Sequence, residues 1–297
     1  MGFKMKIALC LSGYFSSLKD LDSRGQDGYA YIQKHILSKR KEGHEIDIFF
    51  HNWEPHLEAL LLEAYQPKKY IIEPQIDFNV IAEKHHVSRK YLDPHGHLGT
   101  WTINSKQGHG YVGPERILSQ YYSVQKSFEL MREYEKENNF RYDSAIKARF
   151  DLGRINRTTS GPGKTNPWAC QCIDFNPDYD MSKFYQVYWD LFNEGPADMW
   201  FYSSSENMAS FATLYDKTLM EYLQLGSEYA KNVTEGWPQS SSNNFRSNEW
   251  LKPLTQRTSN LHQYPPSMVV NAILLMKWFL MDQGLWEKSE LLKTEWE

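Results

Sequence analysis

Lys6-Ile7-Ala8-Leu9-Cys10-Leu11-Ser12-Gly13 is an apolar run that stops on a serine and a glycine. No polar face is left between Ile7 and Leu11, as in a strand covered on both sides, and such strands belong to parallel sheets. The residues that follow repeat the theme. Tyr29, Ile32, Ile36 and Leu37 recur at helical spacing across 27–41, and Gly43 supplies a stop. A second apolar strand covers 46–50 and ends in His51-Asn52-Trp53; a short helix spans 57–65 and a third strand 69–72. Strand and helix alternating at this pitch predict crossover units and a parallel sheet.

Beyond that core the chain is read more coarsely. The stretch 84–114 is rich in His, Gly, Asp and Pro and is expected to be a long surface excursion. A long helix follows at 114–138, with Ile117, Tyr121, Val124, Phe128 and Met131 on one stripe, and then a fourth strand at 144–150. A second long loop is expected over 153–180, strands over 183–192 and 199–202, and a helix over 206–223. A polar loop at 234–248 precedes a short helix from Glu249. A buried helix is expected within 268–286, opened by Pro265-Pro266-Ser267. The fold class expected is α/β: a Rossmann-type, mostly parallel central sheet flanked by helices, with long loops over the site. The whole chain, 1–297, reads as one domain, with a ligand-binding half at 1–152 and an acceptor-shaping half at 153–297.

Composition removes several classes. Lys and Arg total 33 against 37 Asp and Glu, a net charge of −4, which argues against a general nucleic-acid binder. With 41% apolar and 24% charged residues the chain is too apolar to be disordered. Three cysteines, Cys10, Cys170 and Cys172, exclude a disulfide-dense scaffold, and Cys170-Gln171-Cys172 lacks the second pair of a structural zinc site. The opening apolar run is too short for a signal-peptide core, and in 268–286 Lys277 and Asp282 interrupt what a spanning helix needs. A cytoplasmic protein without a transmembrane segment is expected.

In open parallel sheets, ligands bind beyond the carboxyl ends of the strands. Ser12-Gly13-Tyr14, His51-Asn52-Trp53 and Arg149-Phe150-Asp151 fall there, mixing small, aromatic and charged groups in a way that suits a nucleotide. Ser12 to Ser17 contains a single glycine, so the dinucleotide fingerprint of dehydrogenases is missing; no Walker A sequence, Gly-x-Ser-x-Gly or His-Glu-x-x-His appears either. Gly13 lets backbone N–H groups come close to a ligand, or simply turns the chain, and Tyr14 offers a stacking face.

The chain resembles the small GT-A-type, nucleotide-sugar-dependent glycosyltransferases of large DNA viruses, phages and bacteria. The blocks that carry the likeness are Leu11-Ser12-Gly13, Asp47 through Trp53, Gln120 through Lys126, Tyr142 through Leu152 and Ala197 through Met208, in that order. The resemblance implies transfer of a monosaccharide from a nucleotide-sugar donor, with a uracil nucleotide first in line, to a glycan or glycoprotein acceptor. It also implies an Asp-x-Asp motif holding Mn²⁺ or Mg²⁺ at the donor diphosphate. Here that motif reads Arg149-Phe150-Asp151, so Asp151 is the one carboxylate left as metal ligand, and the guanidinium of Arg149 is expected to help the cation or partly replace it. The structural alternative is a local Arg149–Asp151 ion pair. The resemblance places Lys126 near the donor, while Gln120 and Ser123, on the same drifting helix face, are equally well read as solvated. Asn52 joins the donor-binding set by its place at a strand end. An inverting transferase needs a carboxylate base; Asp198, ahead of an apolar strand, is the candidate, with Glu249 as a further substrate-side carboxylate or a residue complementing a helix dipole. The other reading is a non-catalytic nucleotide- or carbohydrate-binding protein that keeps the fold without the metal ligand.

Overall fold

The computed structural model describes residues 4–14, 28–85, 100–104, 108–112, 114–153, 172–188, 195–224, 226–235 and 272–292. In the first half the elements are β1 (Lys6–Gly13), α1 (Gly28–His35), β2 (Glu45–Asn52), α2 (Glu58–Tyr65), β3 (Lys69–Ile72) and α3 (Phe78–Lys84). A hairpin of β4 (Thr100–Asn104) and β5 (Gly108–Val112) comes next, then α4 (Pro114–Glu137) and β6 (Ser144–Arg149). The remainder supplies β7 (Phe184–Val187), β8 (Trp200–Ser203), α5 (Ser205–Phe211), α6 (Leu214–Lys217), α7 (Glu228–Glu235), α8 (Ala272–Asp282) and β9 (Ser289–Leu292).

Seven strands form one sheet in the order β3-β2-β1-β6-β8-β7-β9. β3, β2, β1 and β6 run parallel; β8 is antiparallel to both its neighbours, β6 and β7, and β9 again pairs in parallel with β7. This is a mixed, mostly parallel α/β sheet, compatible with a Rossmann-like fold. Strand β1 lies inside the sheet, between β2 and β6, because neither of its faces is polar. Ile7, Leu9 and Leu11 pack with Ile32 of α1, Ile36 just beyond it and Leu61 of α2, while Ala8 and Cys10 pack with Leu118, Tyr121 and Phe128 of α4. Helices therefore cover both faces. Burying each large side chain, Trp200, Phe49 and Phe150 among them, stabilises the fold by about 1.5–3 kcal/mol.

Several expected elements come out differently. The helix expected over 27–41 leaves α geometry after His35, and a 3-10 turn (Leu37–Glu42) follows, closed by Gly43 at φ +97. The helix expected over 206–223 is broken: Thr213 N–H and its hydroxyl both bond the Ser210 carbonyl, and a π-helical turn occupies Thr218–Tyr222. Within the excursion expected at 84–114 lies the β4/β5 hairpin, paired antiparallel from Thr100 opposite Val112 to Asn104 opposite Gly108. α3, capped by Asp77 accepting the Asn79 N–H, α7 and β9 are further elements. The C-terminal helix is buried as expected, and among the described residues no helix is long and apolar enough to cross a membrane. The loop expected over 234–248, nearly all of it, and most of that over 153–180 lie outside the described residues, as do the short helix from Glu249 and residues 189–192 of the strand expected over 183–192.

Candidate functional site

The chain runs from β1 outward to β2 and β3 on one side and returns to place β6 on the other. Between β1 and β6 the order reverses, which is where open α/β sheets leave a crevice beyond their carboxyl ends. A cleft of about 940 Å³ lies there. Ser12, Gly13 and Tyr14 form its floor at the end of β1, Arg149 and Asp151 at the end of β6. Trp53, Gln75 and Phe78 close one side, and the first turns of α4 bring Arg116, Ser119 and Gln120. Tyr14 is 56% exposed, its hydroxyl donating to Gln75 Oε1 at 2.7 Å, so its ring is open to a ligand. Gln75 is steadied in turn by Ser119, 3.0 Å from its Nε2.

The charged end of the cleft is a closed network. Arg149 donates Nε to Asp151 Oδ1 at 2.8 Å and Nη2 to Asp151 Oδ2 at 2.7 Å, a bidentate pair, while Nη1 reaches Asp198 Oδ2 at 3.0 Å. Gln120 Nε2 donates to the same Asp198 oxygen at 2.5 Å, and the buried Lys147 ammonium donates to the Asp198 carbonyl. The Asp198 side chain keeps 29% of its surface accessible. Burial raises its pKa, but Arg149 and Lys147 beside it outweigh that and leave the carboxyl below its ordinary value. Burial works to lower Arg149, and the two carboxylates reverse this and raise it, so the guanidinium is permanently charged. Lys147 is pushed down to about 8, by burial first and by Arg149, against the pull of Asp198 and Asp151.

The local ion pair, the structural alternative for Arg149 and Asp151, is what the geometry contains. Both Asp151 oxygens face the guanidinium, and a divalent cation there would sit against a fixed positive charge. Among the described residues no group of three or more His, Cys, Asp or Glu is placed to hold a metal ion. As arranged, these residues do not fit the cation that the Asp-x-Asp analogy implies.

The other sequence-derived site residues divide. Ser12, Gly13, Tyr14, Arg149 and Asp151 line one cleft, and Asp198 joins them through Arg149. Asn52 is buried behind it, where its Nδ2 donates to the Gly13 carbonyl at 2.9 Å and its Oδ1 accepts the Glu54 N–H at 2.8 Å: it holds the turn instead of touching a ligand. Lys126 does not line the cleft; it pairs with Glu129 at 2.6 Å and lies over the Tyr122 ring. Glu249 lies outside the described residues. Gln120 and Ser123 are not on a solvated face, because α4 packs against the sheet and both bond to it or its loops. Lys147 was legible as a lone cation inside the apolar strand Ser144-Ala145-Ile146-Lys147-Ala148, a position that demands a partner.

No protein-family model matches this chain, and no curated protein matches it either.

Proposed function

We propose that the chain is a glycosyltransferase with a GT-A-like fold, moving a monosaccharide from a nucleotide-sugar donor to a glycan or glycoprotein acceptor. The observation that carries this reading is the cleft at the β1/β6 reversal, with an exposed aromatic face at one end and an arginine between two carboxylates at the other. A nucleotide sugar has matching parts: a flat base for Tyr14, phosphates for the guanidinium of Arg116 on the cleft wall, and sugar hydroxyls for Asp198 and Asp151. Asp198 is held ionised, the opposite of the upward tuning that suits a general base near neutral pH. Its role in this reading is to accept a hydroxyl hydrogen bond and orient the sugar, and any proton removal by it would be weakly driven. No step is assigned to a metal ion, since Asp151 is already taken by Arg149.

A second reading, a non-catalytic nucleotide- or carbohydrate-binding protein, is favoured by that same engagement of both Asp151 oxygens. Thermal shift with a panel of nucleoside diphosphates, with and without Mn²⁺, followed by a donor-hydrolysis screen, separates the two. Stabilisation of about 2.7 kcal/mol is expected at a hundredfold excess over Kd. Binding with hydrolysis or transfer supports the enzyme; binding with neither supports the binding protein; no shift with any nucleotide removes both nucleotide readings.

A further inference from the structure

Gly13, at φ +100, turns the chain at the floor of the cleft, and both of its backbone groups are held from behind. Its carbonyl accepts from Asn52, and its N–H donates to Ser123 Oγ at 3.0 Å. Ser123 Oγ lies 2.9 Å from His51 Nδ1, and His51 Nε2 lies 3.0 Å from Glu73 Oε1. Ser123 and His51 are fully buried; only Glu73, with 31% of its side chain accessible, reaches solvent. The hydrogens then have one consistent order. A carboxylate facing Nε2 requires a proton there, which leaves Nδ1 of a neutral ring as acceptor for the Ser123 hydroxyl, and the serine oxygen free to accept Gly13.

Serine, histidine and carboxylate in sequence are the parts of a nucleophilic relay. This one cannot attack a substrate, because Ser123 has no exposed surface and its oxygen is already covered by the Gly13 N–H. What the relay does reach is the turn. If His51 takes a second proton, Nδ1 becomes a donor toward Ser123, and the hydroxyl hydrogen must swing to its other neighbour, the His51 carbonyl at 3.4 Å. The groups facing the imidazole are Glu73 beyond β3, and Ser123, Tyr122 and Lys126 on α4, with Trp53 against its ring. Burial lowers the imidazole pKa and Lys126 adds to this, outweighing the support from Glu73.

We propose that Ser123, His51 and Glu73 are positioning residues for the cleft: through one chain of hydrogen bonds they hold the Gly13 turn in its binding geometry while the imidazole is neutral, and weaken that hold when the imidazole is protonated, because Ser123 Oγ must then accept from Nδ1 as well as from the Gly13 N–H. The effect on ligand affinity rests on the reading of the cleft as a nucleotide site; the effect on the turn does not. The test is NMR of the full chain with ¹³C-carbonyl serine and ¹⁵N glycine, which isolates the two Ser-Gly pairs, Ser12-Gly13 and Ser160-Gly161. The Gly13 amide is expected to follow a single titration with a midpoint below the ordinary histidine value of 6.5. Glu73→Gln should move that midpoint down, Lys126→Gln should move it up, and Ser123→Ala should abolish the response. Uridine diphosphate affinity, measured in parallel from pH 8 to pH 5, should fall along the same curve. A flat Gly13 amide overturns the proposal, and so does a titration that ignores both charge variants, which stand as the test if Ser123→Ala does not fold. A titrating amide without any nucleotide binding keeps the relay and removes the nucleotide reading.

Discussion

Replacing Lys147 with methionine isolates what a buried cation costs this fold. Lys147 lies within β6, its ammonium shut away from solvent against the Asp198 carbonyl and near the Phe201 ring. Burial sets its folded pKa at about 8, against an ordinary 10.5. The unfolded chain therefore binds one more proton than the folded chain between those values, and stability rises with pH across that window. Below about 8 the full penalty is present; above 10.5 it is gone. At roughly 1.4 kcal/mol for each tenfold change in proton affinity, the separation amounts to about 3 kcal/mol. Lys147→Met keeps the length of the side chain and removes the charge, a kind of replacement that is often neutral or stabilising in cores. The assay is urea unfolding of both proteins at pH 7, 8, 9 and 10, read as the difference between them so that other titrations cancel. Relative to Lys147→Met, the parent protein should gain about 2–3 kcal/mol from pH 7 to pH 10, roughly 5 °C in Tm for a chain of this size. A difference constant with pH would refute the reasoning, since it would mean that the ammonium is solvated or fully compensated.

Four other outcomes follow from the same geometry. Asp198→Asn removes the carboxylate assigned to a sugar hydroxyl and should weaken nucleoside diphosphate-sugar binding relative to free nucleotide binding, whereas Asp151→Asn should leave metal response unchanged; calorimetry with and without Mn²⁺ checks both, and Mn²⁺-dependent binding lost in Asp151→Asn would restore the carboxylate as a cation ligand. Gly28→Ala should destabilise by about 3 kcal/mol or more, because its Cβ would lie 1.7 Å from the Phe150 carbonyl oxygen and backbone must move; denaturant titration reads this. Gly13→Ala meets no atom within 4 Å and should cost only the strain of its positive φ, about 1–2 kcal/mol, so a loss well beyond that would show that the turn is packed more tightly than the structure has it.

The parallel core was legible because burial on both faces thins the polar residues of a strand: β1 has none from Ile7 to Leu11, and β2 and β6 keep the apolar runs Ile48-Phe49-Phe50 and Ala145-Ile146 beside the charged Asp47 and Lys147. Elements with one half-open face were harder to see. β9, Ser289–Leu292, is partly accessible throughout and takes its order from pairing with β7, a contact distant in sequence. The hairpin strands are five residues each: β4, Thr-Trp-Thr-Ile-Asn, alternates over too short a stretch to stand out, and β5 carries two glycines, which weaken any strand signal. The break in 206–223 depends on which carbonyl Thr213 bonds, and composition does not carry that information.

At the site, residue types were readable and their pairings were not. Strand ends in a parallel sheet point to the cleft, which is why Ser12, Gly13, Tyr14, Arg149 and Asp151 were found from position alone. The sequence also shows that position 149 holds arginine, but not whether that guanidinium faces a ligand or its own neighbour two residues on. Bidentate geometry to Asp151, with Asp198 on the third nitrogen, decides it: before any ligand arrives, the strongest cation of the cleft is already matched by two carboxylates. A phosphate entering there must compete with those carboxylates for the same N–H groups, and the exchange adds little net attraction. Affinity for an anionic donor then has to come from the rest of the cleft, from Arg116 on its wall and from the open face of Tyr14, which the Gly13 turn positions. This is why disturbing the relay behind Gly13, on which the placing of Tyr14 depends, should weaken binding more than loss of Arg149.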